Sequence, residues 1–542
     1  MKQILFSILI LVVAVACAGA PPATPVPAAT VAPTAAPPAA TQPPAATQAA
    51  PTPSATTQGA PAATVTPAQA PIQPPRGFAQ LGDALNRDKT QPATNYKLEV
   101  GTTQPGSPNT AWIIWDERQG NTQQIFVARQ VGAKFENVGA SLNIHANVLA
   151  ENPTITFAGR ERAVPWVAWH EPSPSFGGKK NVFASRFNAA SGLWVPAGQD
   201  RGGNEPSLNI HTNQLAQDAH IFGGSADPTR PPEAWVCWEE VSAHNNAVEI
   251  FVSRAISDTT ALGGFRWQPV GLNRSGNAQD PEPSVNVDVT GGSNSDHCQL
   301  TFAETNNAVP WVVWAEKIRL NPTQIFVARA VVDNTQGAGG FKWVFVPNCT
   351  PQDVSKCVLN VNPTKEALEP SMTAGTVIPG QATVPWLAWS EVGANGKRQI
   401  FVNRLDQVSR NAFLNVGGSL NADQNRDARH PDITFVGNVP YVAWDEEVGG
   451  TRRLFVRHLA SDPQTGTWVL DTPTDGLAVD RTKLATGPYI RPTPDGQVVI
   501  AYVQGDPTKE ASQILVCTNA TLTSAIQRIF GMAAPLFAGE KC

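Results

Sequence analysis

From Phe78 onward, short apolar runs alternate with clusters of Gly, Asp and Asn, and one pair of runs repeats in recognisable form. Its clearest copy is Val384-Pro385-Trp386-Leu387-Ala388-Trp389-Ser390-Glu391, a polar turn, then Ile400-Phe401-Val402-Asn403-Arg404. β-Branched and aromatic residues bounded by turn formers predict a β-hairpin. The pair returns at 110–117 with 125–129, 164–171 with 182–186, 233–240 with 250–254, 309–316 with 325–329, and 439–446 with 454–458. A degenerate seventh copy is 498–504 with 514–518.

Another apolar run precedes each hairpin, as in Pro153-Thr154-Ile155-Thr156-Phe157 and Pro431-Asp432-Ile433-Thr434-Phe435. Most copies are followed by an aromatic and a Gly-Leu-Asn-like ending, seen at 135–143, 267–273 and 413–421. Four short strands recurring every roughly 55–75 residues predict an all-β, seven-bladed β-propeller. The chain enters on a fourth-strand pattern, Phe78 to Asn86, while the last repeat has only its first three strands. The N-terminal strand is therefore expected to close the last blade, which removes open sheet edges. Two packed sandwiches would leave that displaced strand unexplained.

Trp115, Trp169, Trp238, Trp314, Trp389 and Trp444 share one position, and Glu117, Glu171, Glu240, Glu316, Glu391 and Glu446 follow two residues later. The Trp side chains are expected between blades. With Glu391 opposite Ile400, Leu387 would oppose Arg404. Glu and Arg would then share a face but sit roughly 13 Å apart at ~3.3 Å per residue. The Glu partners are then expected to be backbone N–H groups of adjacent loops, and those of Arg the ends of neighbouring strands.

Composition adds a compartment. Lys2 and an apolar run from Ile4 to Val15 form a targeting segment too short to span a bilayer. Ala14-Val15-Ala16-Cys17 resembles a bacterial lipobox, with Ala14 where such boxes usually carry Leu. The resemblance implies lipidation of Cys17 and display on the outer side of a membrane. Residues 18–75 are nearly all Ala, Pro, Thr, Val, Gln and Ser, an uncharged, disordered stalk. The expected divisions are 1–17 signal peptide and lipobox, 18–75 linker, 76–520 propeller and 521–542 tail, with a short helix at 524–530. Six of the seven cysteines remain beyond Cys17; the expected pairs are Cys349–Cys357, Cys517–Cys542 and Cys237–Cys298. A net charge of −5 and a pI near 5.9 give no footprint for nucleic acid.

Candidate chemistry lies in the incoming loops, which differ between blades. His145 with Asn147 and His211 with Asn213 echo each other. Other loops carry Arg274 and Asp280, Lys365 and Glu369, Arg426, Asp427, Arg429 and His430, or Tyr489 and Arg491. His145, His211, Arg426, Arg429, His430 and Arg491 are the candidate ligand-binding residues, for a glycan or a protein. No catalytic residue and no resident metal is assigned, although Asp288, Asn294 and Asp296 offer oxygen ligands for Ca²⁺. Ser461-Asp462-Pro463-Gln464-Thr465-Gly466-Thr467-Trp468 resembles the Asp-box turn of sialidase-like propellers. That resemblance implies the same turn between third and fourth strands and, for a glycoside hydrolase, convergent Arg426, Arg429 and Arg491 with Tyr489. Blade counts of six are usual in that family. The expected function is a surface-displayed binding module; the alternatives are a sialidase-like hydrolase or lyase and a structural envelope component.

Overall fold

The computed structural model describes residues 77–198, 205–272, 282–289, 293–334, 337–348, 353–460, 466–519 and 542. Cys17, the tract 18–75, Arg274, Asp280, Cys349, the turn 461–465 and the expected helix at 524–530 lie outside them. Among the described residues all regular structure is β-strand or single-turn 3₁₀-helix. The strands form five separate four-stranded sheets, one eight-stranded sheet and a two-stranded pair. The eight-stranded sheet is two antiparallel four-stranded groups joined by a single parallel bridge, Val248 to Asn294. Seven four-stranded antiparallel units thus follow one another along the chain, an all-β propeller arrangement. The first runs Ala93–Gly101, Thr110–Gln119, Thr122–Val131 and Lys134–Asn137. The seventh takes Ala485–Pro492, Val498–Gln504 and Gln513–Thr518 from the end of the chain and Ala79–Gln80 from its start. Ala79 opposes Thr518, and Gln80 opposes Cys517.

Turn chemistry sets each hairpin. In the first unit Gln119 pairs with Thr122 around Gly120-Asn121, and Gly120 has φ 62°. Two-residue hairpins favour positive φ there because their twist then matches that of the strands. In the fifth unit the register is one residue away from expectation. Trp386 opposes Arg404, Trp389 opposes Phe401, and Glu391 opposes Gln399 rather than Ile400. The polar residues Arg398 and Gln399 belong to the strand, which an apolar count alone misses. A one-residue slip carries every side chain to the other face. Glu391 and Arg404 therefore lie on opposite faces instead of sharing one.

Both sheet faces are packed. Trp386 and Trp389, three residues apart, are fully buried on opposite faces. Trp386 meets Phe435 of the next unit edge-to-face at 5.4 Å. Gly375 makes room for that ring, since a Cβ there would stand 2.3 Å from Phe435. Gly101 and Gly224 stand in the same relation to Phe157 and Phe302.

The recurring Glu clamps the loop that brings the chain into its unit. Glu391 accepts hydrogen bonds from Trp389 Nε1 (2.9 Å), Val361 N (2.9 Å) and Asn362 N (2.7 Å). Glu117, Glu171, Glu240, Glu316 and Glu446 take the same three donors from their own Trp and two consecutive backbone N–H groups. These are the backbone partners expected from the sequence. The degenerate seventh unit reproduces the clamp with different atoms: Val479 N donates to Tyr502 Oη and Asp480 N to Gln504 Oε1. An Asn at the start of the incoming loop adds a second tie; in the third unit this is Asn286 rather than the Asn273 of the Gly-Leu-Asn ending, which lies outside the described residues. Asn421 Oδ1 accepts from Ile400 N, as Asn86, Asn143, Asn209, Asn286 and Asn360 do in their units. The Arg at the end of the third strand reaches the next unit: Arg186 Nε donates to Gly263 O, and Arg254 Nη2 to Gly339 O.

Cys237–Cys298 and Cys517–Cys542 form disulfides, and Cys357 is disulfide-bonded as well. Trp468, the last residue of the Asp-box-like turn, donates its indole N–H to Val416 O of the preceding unit.

Candidate functional site

The first strand of every unit is its inner edge, and an edge strand has backbone N–H groups with no strand partner. Here neighbouring side chains satisfy them. His220 Nδ1 accepts from Leu300 N, Gln299 Oε1 from Met372 N, Ser371 Oγ from Ile433 N, and Asp432 Oδ2 from Ile490 N. Each bond runs from one unit to the next, so the inner strands are laced around a channel. Arg491 of the seventh unit pairs with Asp432 at 2.7 Å and with Glu99 of the first unit at 3.2 Å.

At one end of the channel all seven inner strands bulge, between Ala93 and Tyr96, Glu151 and Thr154, Gln217 and His220, Asp296 and Gln299, Leu368 and Ser371, Arg429 and Asp432, and Thr486 and Tyr489. The bulge holds Asn152 (φ 51°), Asp218 (50°), His297 (55°), Glu369 (57°), His430 (50°) and Gly487 (66°) in the left-handed region. For residues with a Cβ this conformation costs about 1–3 kcal/mol and persists only where the surroundings enforce it. The enforcing groups come mostly from the residue between Trp and Glu in the preceding hairpin. Asn152 N donates to Asp116, Asp218 N to His170 Nδ1, His297 N to Glu239, and Gly487 N to Asp445. His430 N donates to Glu369, which Ser390 Oγ holds in turn.

These side chains, with Asn95, Lys97, Tyr96 and Tyr489, line a cavity of about 480 Å³. Tyr96 and Tyr489 meet edge-to-face at 5.2 Å, and Lys97 Nζ lies 4.1 Å over the Tyr489 ring. Asn152 Nδ2 donates to Asp218. Asp218, Glu239 and Asp296 gather carboxylate oxygens within 4.8 Å of one another, an arrangement with the donor chemistry for a hard cation. Burial, then the neighbouring Asp218 and Asp296, raise Glu239 above the usual carboxylate range. Burial likewise raises Asp116, despite hydrogen bonds from Thr94, Asn95 and Gln123.

His297 and His430 have the opposite tendency. His297 Nδ1 lies 2.7 Å from Asp296, which outweighs burial and raises the imidazole. Burial disfavours the His430 cation, but Asp445 at 2.6 Å and Glu369 at 3.4 Å push it up to about 9. An unfolded His titrates near 6.5. The stabilisation from protonated His430 is therefore complete below pH 6.5 and lost as pH rises through about 9. Unfolding free energy measured from pH 7 to 10 is expected to decline, and His430→Gln to flatten that stretch. An unchanged slope in the variant would remove His430 from this role.

The sequence candidates separate in the structure. His430 lines the cavity, while Arg491 is half-buried one layer deeper with Asp432 and Glu99. Arg429 is exposed beside the cavity rim, opposite Asp445 in register. Arg426 turns to Asp423 (3.3 Å) and Glu446 (3.8 Å). His145 and His211 pair with Glu205 and Glu282, both at 3.4 Å. Of the three arginines of the sialidase-like expectation, Arg426 and Arg491 are thus tied to different carboxylates, while Arg429 is exposed. Asp288, Asn294 and Asp296 have separate partners: Asp288 faces Arg319, Asn294 Oδ1 accepts from Val248 N, and Asp296 joins His297. Several polar incoming-loop residues close local turns, as Asp88 Oδ1 does by accepting from Thr90 N and Asp480 Oδ1 from Thr482 N. Sequence reasoning missed Asn152, Asp218, His297 and Glu369 as a ring. Two signals were present: the Pro that follows Asn152, Glu369, His430 and Gly487, and the changing middle residue of Trp-x-Glu.

No family model matches the chain, and no curated protein does. Among solved structures, a protein of unknown function from Dyadobacter fermentans aligns with a TM-score of 0.41 at 10% identity, covering 82% of this chain and 98% of that one. An α-L-arabinanase from Penicillium chrysogenum complexed with arabinobiose aligns with 0.38 at 8%, covering 83% and 97%. The NanB sialidase from Streptococcus pneumoniae aligns with 0.38 at 9%, covering 81% and 70%. Likenesses of this degree carry nothing about activity or ligand.

Proposed function

We propose that this chain is an extracytoplasmic binding protein, lipid-anchored through Cys17 and raised on the 18–75 stalk, whose seven units act as the blades of a closed propeller that captures a glycan at the channel mouth. The observation that carries this reading is the cavity of about 480 Å³. Its lining differs from unit to unit, whereas the Trp, Glu and Asn ties repeat. A feature common to nearly every unit serves the scaffold; a site for one ligand must break the repetition. The volume falls within the range of small-ligand sites, about 300–1,000 Å³. Asn95, Asn152, His297 and His430 offer donors, Asp218 and Glu369 acceptors, and Tyr489 an aromatic surface. Such a mixture suits closely spaced hydroxyl groups. The disulfides fit an oxidising compartment.

A glycoside hydrolase is the second reading, favoured by the raised Glu239 carboxyl beside two further carboxyls. Glycosidases separate their two carboxyls by about 5–9.5 Å across the scissile bond. Asp218, Glu239 and Asp296 are closer together than that, and Glu239 is only 3% exposed. Both points support binding over turnover. A glycan array probed with the mature protein decides between them. Hits that weaken at least about tenfold in Asp218→Asn, with the bound glycan intact, are expected, since a buried polar contact is worth about 1.5 kcal/mol or more. Release of shortened sugars would move the assignment to a hydrolase, and hits indifferent to Asp218→Asn would remove the channel mouth as the site.

A further inference from the structure

Away from the channel, His211, His244 and Glu282 form a compact cluster. His211 Nε2 lies 3.4 Å from Glu282 Oε1, His244 Nε2 lies 3.7 Å from Glu282 Oε2, and the three ligand atoms fall within 4.8 Å of one another. We propose that these residues form a zinc-class divalent metal site, with two imidazole nitrogens, one carboxylate and a solvent molecule completing a tetrahedron.

The chemistry of the donors favours that class. Imidazole with a single carboxylate suits Zn²⁺ and its late first-row neighbours, whereas Ca²⁺ and Mg²⁺ take oxygen ligands. Zn–N and Zn–O bonds of about 2.0–2.2 Å place the ligands of a tetrahedron roughly 3.3–3.6 Å apart. Each imidazole nitrogen already lies within a few tenths of that from one oxygen of the carboxylate, His211 from Oε1 and His244 from Oε2. One ligand atom from each residue falls within 4.8 Å of the others, so a metal need only draw them in.

Each ligand is also positioned by the backbone. His211 N donates to Glu240 Oε1 at 2.6 Å, so the Trp–Glu clamp of the third unit fixes the loop carrying His211. His244 sits in the turn between Glu233–Val241 and Val248–Ser257. That turn is closed by Ser242 N to Ala247 O, and by His244 N and Asn245 N donating to Ser242 Oγ. Glu282 is 3% exposed and holds the same turn through Ser242 Oγ (2.9 Å) and Ala243 N (3.0 Å). Binding a metal needs little reordering, which is the main cost of building a site.

The molecule contains its own control. One unit earlier the same frame recurs: His145 N donates to Glu171, His145 Nε2 lies 3.4 Å from Glu205, and Ser173 Oγ donates to Glu205 at 2.7 Å. Two residues after Ser173 stands Ser175, where the third unit has His244 two residues after Ser242. A single His–Glu pair therefore suffices for the frame. The second imidazole, aimed at the same carboxylate, is the addition that completes a metal-ligand set.

The test uses the mature chain stripped with chelator, titrated with ZnCl₂ by calorimetry and measured for bound metal after desalting. One Zn²⁺ per chain is expected in the native sequence. His244→Ser, which copies the earlier unit and changes an exposed turn, is expected to weaken uptake by more than the ~10–100-fold that loss of a supporting partner costs. His145→Ser is expected to leave uptake unchanged. Co²⁺ substitution supplies a second readout, because a tetrahedral nitrogen/oxygen site gives intense visible bands that His244→Ser should abolish while circular dichroism stays native. No stoichiometric uptake, or equal uptake by the native and His244→Ser proteins, would overturn the site.

Discussion

Replacing Glu391 with alanine is expected to destabilise the protein by about 3–5 kcal/mol, the range for stripping one partner from a buried ionic or hydrogen-bonded group. The side chain is 1% exposed and is the acceptor for three donors, Trp389 Nε1, Val361 N and Asn362 N. Each donor left without an acceptor in the interior costs about 1–3 kcal/mol. Glutamine alone should be no remedy, because its amide nitrogen would face one of those donors. The seventh unit shows which change would be a remedy: there Tyr502 Oη and Gln504 Oε1 divide the two backbone donors between them. Trp389→Tyr combined with Glu391→Gln is therefore expected to cost less than the sum of the single changes by about 1 kcal/mol or more, within the range of coupling between touching residues. Denaturant unfolding of the four proteins measures this, and strict additivity would show that Trp and Glu do not act as one clamp.

The second large effect concerns Cys237–Cys298. Substituting alanine for both cysteines is expected to lower stability by about 4 kcal/mol, from the loop-closure entropy of a crosslink spanning 61 residues. The loss should also reach the candidate ligand site. Cys298 belongs to the bulge of the fourth unit, next to His297, and Cys237 lies two residues before Glu239, which holds His297 N at 2.9 Å. The disulfide and that hydrogen bond together fasten the fourth inner strand to the third unit. Ligand affinity should fall with stability in the double variant. If the denaturation midpoint is the same with and without the crosslink, the bond contributes nothing to the folded state.

The scaffold was legible in the sequence because it repeats. Apolar runs, Gly- and Asp-containing turns and the Trp–Glu spacing all point to four strands per repeat, and the backbone partners of Glu follow from its place at the end of a strand. The register was not legible, because Gln399 is polar yet lies inside the strand and opposes Glu391. The channel mouth was hidden for a different reason. Its residues differ from unit to unit, so no repeat search gathers them, and the bulge at Asn152, Asp218, His297, Glu369 and His430 breaks the alternation that would mark which side chains share a face. His145 and His211 drew attention as an echo, and the echo proved to be a frame: both are bound to the Glu of a neighbouring segment.

The pairing of Ala79–Gln80 with Gln513–Thr518 imposes an order of events on synthesis. Asn86 Oδ1 accepts from Ile514 N, a partner 428 positions later. At about 5–20 residues per second, translation needs roughly 20–90 s to supply that partner. The first strand of the seventh unit to be made thus waits, unpaired, while most of the molecule is made. Two residues of sheet are a poor template for aggregation during that wait, which gives a physical reason for the opening strand being so short.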